Sequence, residues 1–243
     1  MPEQARGWQW AHNYRMTTGA LWYLHAQDFF SGLHAEREAF IFHSTKRDIK
    51  KNEFLFSQGE AGDSVFYLES GEVRIAQLTL QGKESIVFIR HSGELFGIAE
   101  ALGGVTRTCS AQAMSACCLY EIQRKELEEL LSQHWVLSRR VIEVLGRRLR
   151  YLGEQLESMM SCDVTTRLSR LLFSLSCYKQ ANPDVWSTSN TTPVRLTQEQ
   201  MAAMIGSCQQ TVSEILKQFE SEGIIRISRN RREIVFLKPV SLA

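Results

Sequence analysis

Residues 134–160, HWVLSRRVIEVLGRRLRYLGEQLESMM, constrain the fold of this 243-residue chain more than any other stretch. They contain no Pro and two Gly, and Ile142, Leu145, Leu149, Leu152, Leu156 and Met159 follow one another at steps of three, four, three, four and three. That spacing is an a/d heptad seam, which lets one helix pack along an identical partner. The flanks are rich in Arg and Glu and leave one narrow apolar stripe, whereas an ordinary buried helix carries a broader one. The segment is expected to be a dimer helix, with a different module on either side.

Composition bounds what those modules can be. With 44% hydrophobic and 23% charged residues the chain is ordinary for a globular protein, and a net charge of +1 gives no global signature of nucleic-acid binding. Any such claim must rest on local charge. No run of about 18 uncharged apolar residues suggests a membrane span. The first residues, MPEQARGWQWAHNYR, lack the apolar core of a secretory signal. Cys109, Cys117, Cys118, Cys162, Cys177 and Cys208 show no paired spacing and read as free thiols. A cytoplasmic protein is expected.

Before the seam, an aromatic-rich beginning (Trp8, Trp10, Tyr14, Trp22, Tyr23) leads to a short helical segment, AEREAFIFHST. Short apolar runs then alternate with Gly59, Gly62, Gly71, Gly82 and Gly93, the rhythm of a β-barrel or jelly roll. IAEALGGVT interrupts it, strand signals resume in RTCSAQAMSACCLYEI, and RKELEELL begins a helix with Leu127, Leu130 and Leu131 on one face.

After the seam, Cys162–Asp163 breaks the heptad, and Asp163 is placed to cap the next helix, VTTRLSRLLFSLSCYK. NPDVWSTSNTTP reads as a loop. In VRLTQEQMAAMIGSCQQTVSEILKQFESEGII, Thr197 with Gln200 forms one expected capping box and Ser207 with Gln210 another. Gly206 between them can take a left-handed turn, Ala202 is small where two helices would cross, and Val212, Ile215 and Leu216 form an inner face. This is a helix-turn-helix pattern. IIRISR and RREIVF read as a two-stranded wing whose tip carries Arg229, Arg231 and Arg232, placed for phosphates. On the second helix Gln209, Gln210, Ser213, Glu214 and Lys217 face outward, and with Thr197 and Ser207 at the helix starts they are expected to contact DNA. Gln can pair with adenine and Glu can accept from cytosine, and Gln209 and Ser213 rank as the stronger base readers.

The order of parts resembles the cyclic-AMP receptor/fumarate-nitrate regulator (Crp/Fnr) superfamily of bacterial transcription factors. The resemblance rests on SQGEAGDSVFYLESGEVRI, SGELFG, RTCSAQA, LGRRLRYLGEQL and MIGSCQQTVSEILKQFESEGII, and spans roughly residues 25–240. It implies an α+β fold with an N-terminal β-roll (double-stranded β-helix or jelly roll) sensor, a long dimerisation helix and a C-terminal winged helix-turn-helix. The expected domains are a 1–24 extension, a 25–133 effector domain, a 134–162 dimerisation helix and hinge, and a 163–243 DNA-binding domain. It also implies a homodimer acting on a palindromic DNA operator and an activator contacting RNA polymerase; no enzymatic activity is expected, because no Ser–His–Asp, metal-ligand or P-loop spacing appears.

In the family, a Gly–Glu pair and an Arg–Ser/Thr pair bind the effector's ribose and phosphate. The matching positions are Gly97, Ile98, Arg107 and Thr108, so the Glu is replaced by Ile98, with Glu100 two residues out of register. The Thr–Ser pair that touches adenine in cyclic-AMP-binding members falls on Leu152 and Gly153, which cannot hydrogen-bond through side chains. The expected effector is therefore a small anion other than cyclic AMP, with Arg148 completing its site. The competing expectation is that Arg107 only braces the roll. An amino-terminal cysteine cluster for iron–sulfur is missing, since the first Cys is Cys109. Two sensor alternatives stay open: haem, with His25, His34, His43, His91 or His134, and a thiol switch at Cys162 or Cys208. No metal site is expected. The rival class is a β-roll regulatory subunit without a DNA role.

Overall fold

The computed structural model describes residues 28–78, 84–177, 196–228 and 233–236. Two compact units divide between Arg147 and Arg148.

In the first unit, helix α1 (His34–Phe42) precedes strands β1 (Thr45–Ile49), β2 (Phe54–Phe56), β3 (Ser64–Ser70), β4 (Glu72–Leu78), β5 (Glu84–His91) and β6 (Leu95–Phe96). A short helix α2 (Ile98–Gly103) follows, then β7 (Ser110–Ala113), β8 (Cys117–Gln123) and α3 (Arg124–Gln133). The strands form two antiparallel four-stranded sheets, ordered β1-β8-β3-β6 and β2-β7-β4-β5. Strand β3 is buried at five successive positions, Ser64 to Leu68. The period-two alternation explains this. Phe66 and Leu68 enter a core shared with Phe56, Val73, Ala111 and Leu119 from both sheets. Val65 and Tyr67, on the other face, pack under Phe40, Leu127 and Leu137 from the helices. Each such fully buried side chain contributes about 1.5–3 kcal/mol. Leu127 and Leu130 of α3 are buried and Leu131 is partly so, as the sequence spacing requires.

The segment before α1 is pinned by polar contacts. Tyr67 donates to Asp28 Oδ2 at 2.7 Å, and the Phe30 N–H donates to Asp28 Oδ1 at 2.7 Å. Arg140 adds Nη1 to the Phe29 carbonyl at 2.9 Å.

Helix α4 (Trp135–Ser161) is the expected long helix. Its first half carries a second apolar face, Leu137, Val141 and Val144, which joins the core of the roll, with Leu145 packed against the same cluster. Those contacts explain why residues up to Arg147 belong to the roll rather than standing apart from residue 134 onwards.

The second unit continues through the end of α4 to α5 (Val164–Cys177), α6 (Gln198–Ile205), α7 (Gln209–Ser221) and the antiparallel pair β9 (Ile225–Ser228) and β10 (Glu233–Phe236). Asp163 caps α5 as expected, its Oδ1 accepting from the Thr166 N–H at 2.7 Å. Arg167 ties the break after α4 to the next helices, donating to the Cys162 carbonyl at 2.9 Å and the Ile205 carbonyl at 3.0 Å.

Candidate functional site

The first site is the pair α6–α7. Thr197 and Gln200 form the complete capping box: the Thr197 hydroxyl accepts from the Gln200 N–H at 3.1 Å, and Gln200 Oε1 accepts from the Thr197 N–H at 2.9 Å. Gly206 ends α6 at φ 64°, a left-handed turn that an L side chain adopts only with strain. Its N-terminal neighbours Met201, Ala202 and Ile205 are buried, and so are Val212, Ile215, Leu216 and Phe219 of α7. One expectation is corrected. The second capping box does not form: Cys208, not Ser207, is the N-cap of α7, and it makes no side-chain cap hydrogen bond. Its Sγ lies 3.1 Å from the Thr211 hydroxyl instead.

The inner face of α7 is committed to the core, and its outer face is largely exposed. Gln209, Gln210, Glu214 and Lys217 are exposed and Ser213 is half-buried. Gln210 donates to Glu214 Oε1 at 3.3 Å, so these two side chains constrain each other while Gln209 lies one position earlier on the same face. Thr197 is engaged as a cap. The wing forms as expected from β9 and β10, but Arg229, Arg231 and Arg232 lie outside the described residues, as do His25 and the expected loop.

The second site is the turn around Gly97. Gly97 takes φ 78° and opens α2, and a Cβ there would meet Nη1 of Arg107 at 2.9 Å. Arg107 is 2% exposed. Its Nη2 donates to the Ser64 carbonyl at 2.6 Å and the Ser64 hydroxyl at 3.2 Å, and its Nη1 donates to the Gly97 carbonyl at 3.1 Å. The guanidinium lies over the Phe56 ring at 4.3 Å. Desolvation lowers its pKa, opposed chiefly by Glu100. Its Nε is buried with no hydrogen-bond partner among the described residues. Thr108 donates its hydroxyl to Glu100 Oε1 at 2.7 Å, and Glu100 Oε2 lies 4.0 Å from Arg107 Nη1. Gly97, Arg107 and Thr108 are thus brought together. Ile98 is not among them: it is 1% exposed and packs in the helix-side core, so its matching position serves the fold. Arg148 lies on α4 in the other unit, half-buried. Sequence reasoning missed Ser64, whose contribution is largely a carbonyl with no residue-type signal.

The third feature is the seam. Ile142 is 63% exposed and Leu149 72%, and Leu152, Leu156 and Met159 are exposed too. Leu145 is the exception, half-buried on its own roll. Trp135, seven residues before Ile142 and also exposed, continues the stripe by a further heptad.

Among thiols, Cys208 is exposed, and its pKa is lowered first by the Thr211 hydroxyl and then by backbone N–H groups. Burial instead raises the pKa of Cys109 and Cys118. Cys162 is half-buried. His91 Nδ1 lies 3.5 Å from Glu72 and His134 Nδ1 lies 3.8 Å from Glu36. Among the described residues no three His, Cys, Asp or Glu group as metal ligands, and no helix is long and apolar enough to cross a membrane.

Residues 46–134 match the cyclic nucleotide-binding domain family, and residues 166–243 match the Crp-like helix-turn-helix domain family. A CRP-like cAMP-activated global transcriptional regulator of Mycobacterium tuberculosis is 27% identical over 184 residues, 74% of this chain and 79% of the relative. The cAMP-activated global transcriptional regulator CRP of Salmonella typhimurium is 27% identical over 192 residues, 77% and 88% of the two chains. The solved structure of the c-di-GMP responsive global regulator CLP of Xanthomonas campestris has the same fold, with a TM-score of 0.69 at 22% identity, covering 84% of this chain and 98% of that one. A CooA mutant from Carboxydothermus hydrogenoformans gives 0.70 at 20% identity, covering 89% and 94%.

A β-roll of the cyclic nucleotide-binding type followed by a helix-turn-helix defines a DNA-binding transcription regulator, not an enzyme. The chain belongs to the Crp/Fnr superfamily.

Proposed function

We infer that the protein is a cytoplasmic homodimer that binds a palindromic operator through two α7 helices, activates transcription by contacting RNA polymerase, and answers to a small anion other than cyclic AMP. The observation that carries this reading is the two-sidedness of α7. Its apolar residues Val212, Ile215, Leu216 and Phe219 are buried, while Gln209, Gln210, Ser213, Glu214 and Lys217 stand together on the other face. Helices of this kind enter the major groove and read base edges from such positions. Support for the dimer is the exposed heptad stripe of α4, which a single chain leaves uncovered.

The effector reading rests on Gly97, Arg107 and Thr108, which lie together in the β-roll unit. Arg107 keeps one buried donor, Nε, unpaired among the described residues, a state that costs about 1–3 kcal/mol unless something accepts from it. Leu152 and Gly153 offer no side-chain hydrogen bond to an adenine ring, which disfavours cyclic AMP. Competition binding of wild type and Gln209→Ala to an operator and its single-base variants tests the reading head. Altered base preference supports it, and unchanged preference removes Gln209 as a base reader. In vitro transcription with RNA polymerase tests activation.

A second control is favoured by one observation. Cys208, with its lowered thiol pKa, is exposed at the N-cap position of the helix proposed to read DNA. Operator affinity that differs between reduced and oxidised protein, and not in Cys208→Ser, supports a thiol switch. Equal affinities remove it.

A further inference from the structure

Glu100 stands where the effector reading puts a ligand's anion. One of its carboxylate oxygens accepts from the Thr108 hydroxyl at 2.7 Å, and the other lies 4.0 Å from Nη1 of Arg107. A single carboxylate thus spans the hydroxyl and the guanidinium that would hold an incoming anion. The backbone keeps it there. Glu100 is the third residue of α2, and its carbonyl accepts from the Val105 N–H at 3.2 Å. The chain at Gly62 closes directly over it: a Cβ on Gly62 would come within 2.7 Å of Glu100 Cβ and 2.3 Å of the Val105 carbonyl oxygen. Only Gly leaves room for this approach. Arg107 cannot turn away to another carboxylate without abandoning Ser64 and the Gly97 carbonyl.

We propose that Glu100 is the specificity-determining residue of this site, a resident anion that competes with any ligand for Thr108 and Arg107. The proposal rests on the anionic-effector reading. A phosphate or carboxylate entering the turn must displace Glu100 or share the site with a like charge, and like charges a few ångströms apart oppose each other strongly outside bulk water. Wild-type affinity for simple anions is therefore low. A true effector either carries a donor group that Glu100 can accept from, or moves Glu100 and with it α2 and the Gly62 segment.

The probe is inorganic phosphate, titrated into the full-length protein and followed by phosphorus NMR line broadening at fixed pH and ionic strength. Glu100→Gln removes the charge and keeps an oxygen for the Thr108 hydroxyl. Glu100→Ala, at a helical position that favours Ala, is the second variant should Gln disturb folding, with melting temperature as the control. Both are expected to bind phosphate at least tenfold more tightly than wild type, and adding Arg107→Met to Glu100→Gln is expected to abolish the gain. Equal affinity in wild type and both variants overturns the role of Glu100 and leaves the anion site standing. No binding to any of the three overturns the anionic reading and this proposal together.

Discussion

Arg107 holds Ser64 by two hydrogen bonds from one nitrogen, to its carbonyl at 2.6 Å and to its hydroxyl at 3.2 Å. The contact joins the start of β3 to the turn before β7, across 43 residues of sequence. It makes Arg107 a brace of the roll whatever else it binds.

Arg107→Ala is accordingly expected to destabilise the roll by about 2–4 kcal/mol, since it strips partners from buried polar groups. Arg107→Lys should recover only part of the loss, because an ammonium cannot reproduce the forked geometry. Denaturant unfolding followed by Trp fluorescence measures both. A change below about 0.5 kcal/mol, the usual scale of a surface substitution, would show that the brace is unimportant.

Leu149→Glu is expected to dissociate the dimer without unfolding the chain, because Leu149 is 72% exposed within one chain and lies on the stripe proposed to meet the partner helix. Sedimentation velocity should show the wild type at twice the monomer mass and the variant at the monomer mass. A Leu145→Glu variant should also lose stability, because Leu145 packs on its own roll.

Thr197→Ala removes the hydroxyl half of a complete capping box and should cost about 1 kcal/mol in the DNA-binding unit. Gly206→Ala forces a side chain into a left-handed turn at φ 64° and should cost about 1 kcal/mol or more. Hydrogen exchange of the α6 and α7 amides reads both effects. Ser207→Ala should cost nothing through capping, since Cys208 occupies the cap.

These contrasts show which parts of the molecule the residues disclose. The Asp163 cap, the Thr197–Gln200 box and the turn at Gly206 are local patterns, and each forms as spacing and residue type require, while the stripe from Ile142 to Met159 is exposed except at Leu145. The second capping box looked identical in type, but the chain leaves extended geometry one residue later, at Cys208. Glu100 lies two residues beyond Ile98, the position matching the family's Glu, in IAEALG, which reads as an interruption of the strands. It is helical, and the turn of α2 carries the carboxylate back to Thr108. Ile98 is set in the core by the same turn. The hydrogen bonds of Arg167, and all but one of those of Arg107, end on carbonyls, which every residue has, so no sequence pattern announces them.

Cys208 should alkylate faster than Cys109 and Cys118 near neutral pH. A lowered thiol pKa raises the thiolate fraction, and only the thiolate attacks, whereas burial raises the other two. Timed iodoacetamide labelling with peptide mass spectrometry orders the three. Cys109 or Cys118 reacting first contradicts the assignment.

The central claim is that two copies of α7 read DNA as a symmetric pair. Its most direct test is selection of bound sequences from random duplex DNA by the purified protein, repeated with Leu149→Glu. The account predicts an enriched inverted repeat whose half-sites are centred about 10 base pairs apart, one turn of DNA, and no such enrichment by Leu149→Glu. Enrichment of a lone half-site by both proteins, or of no sequence at any salt concentration, would contradict it.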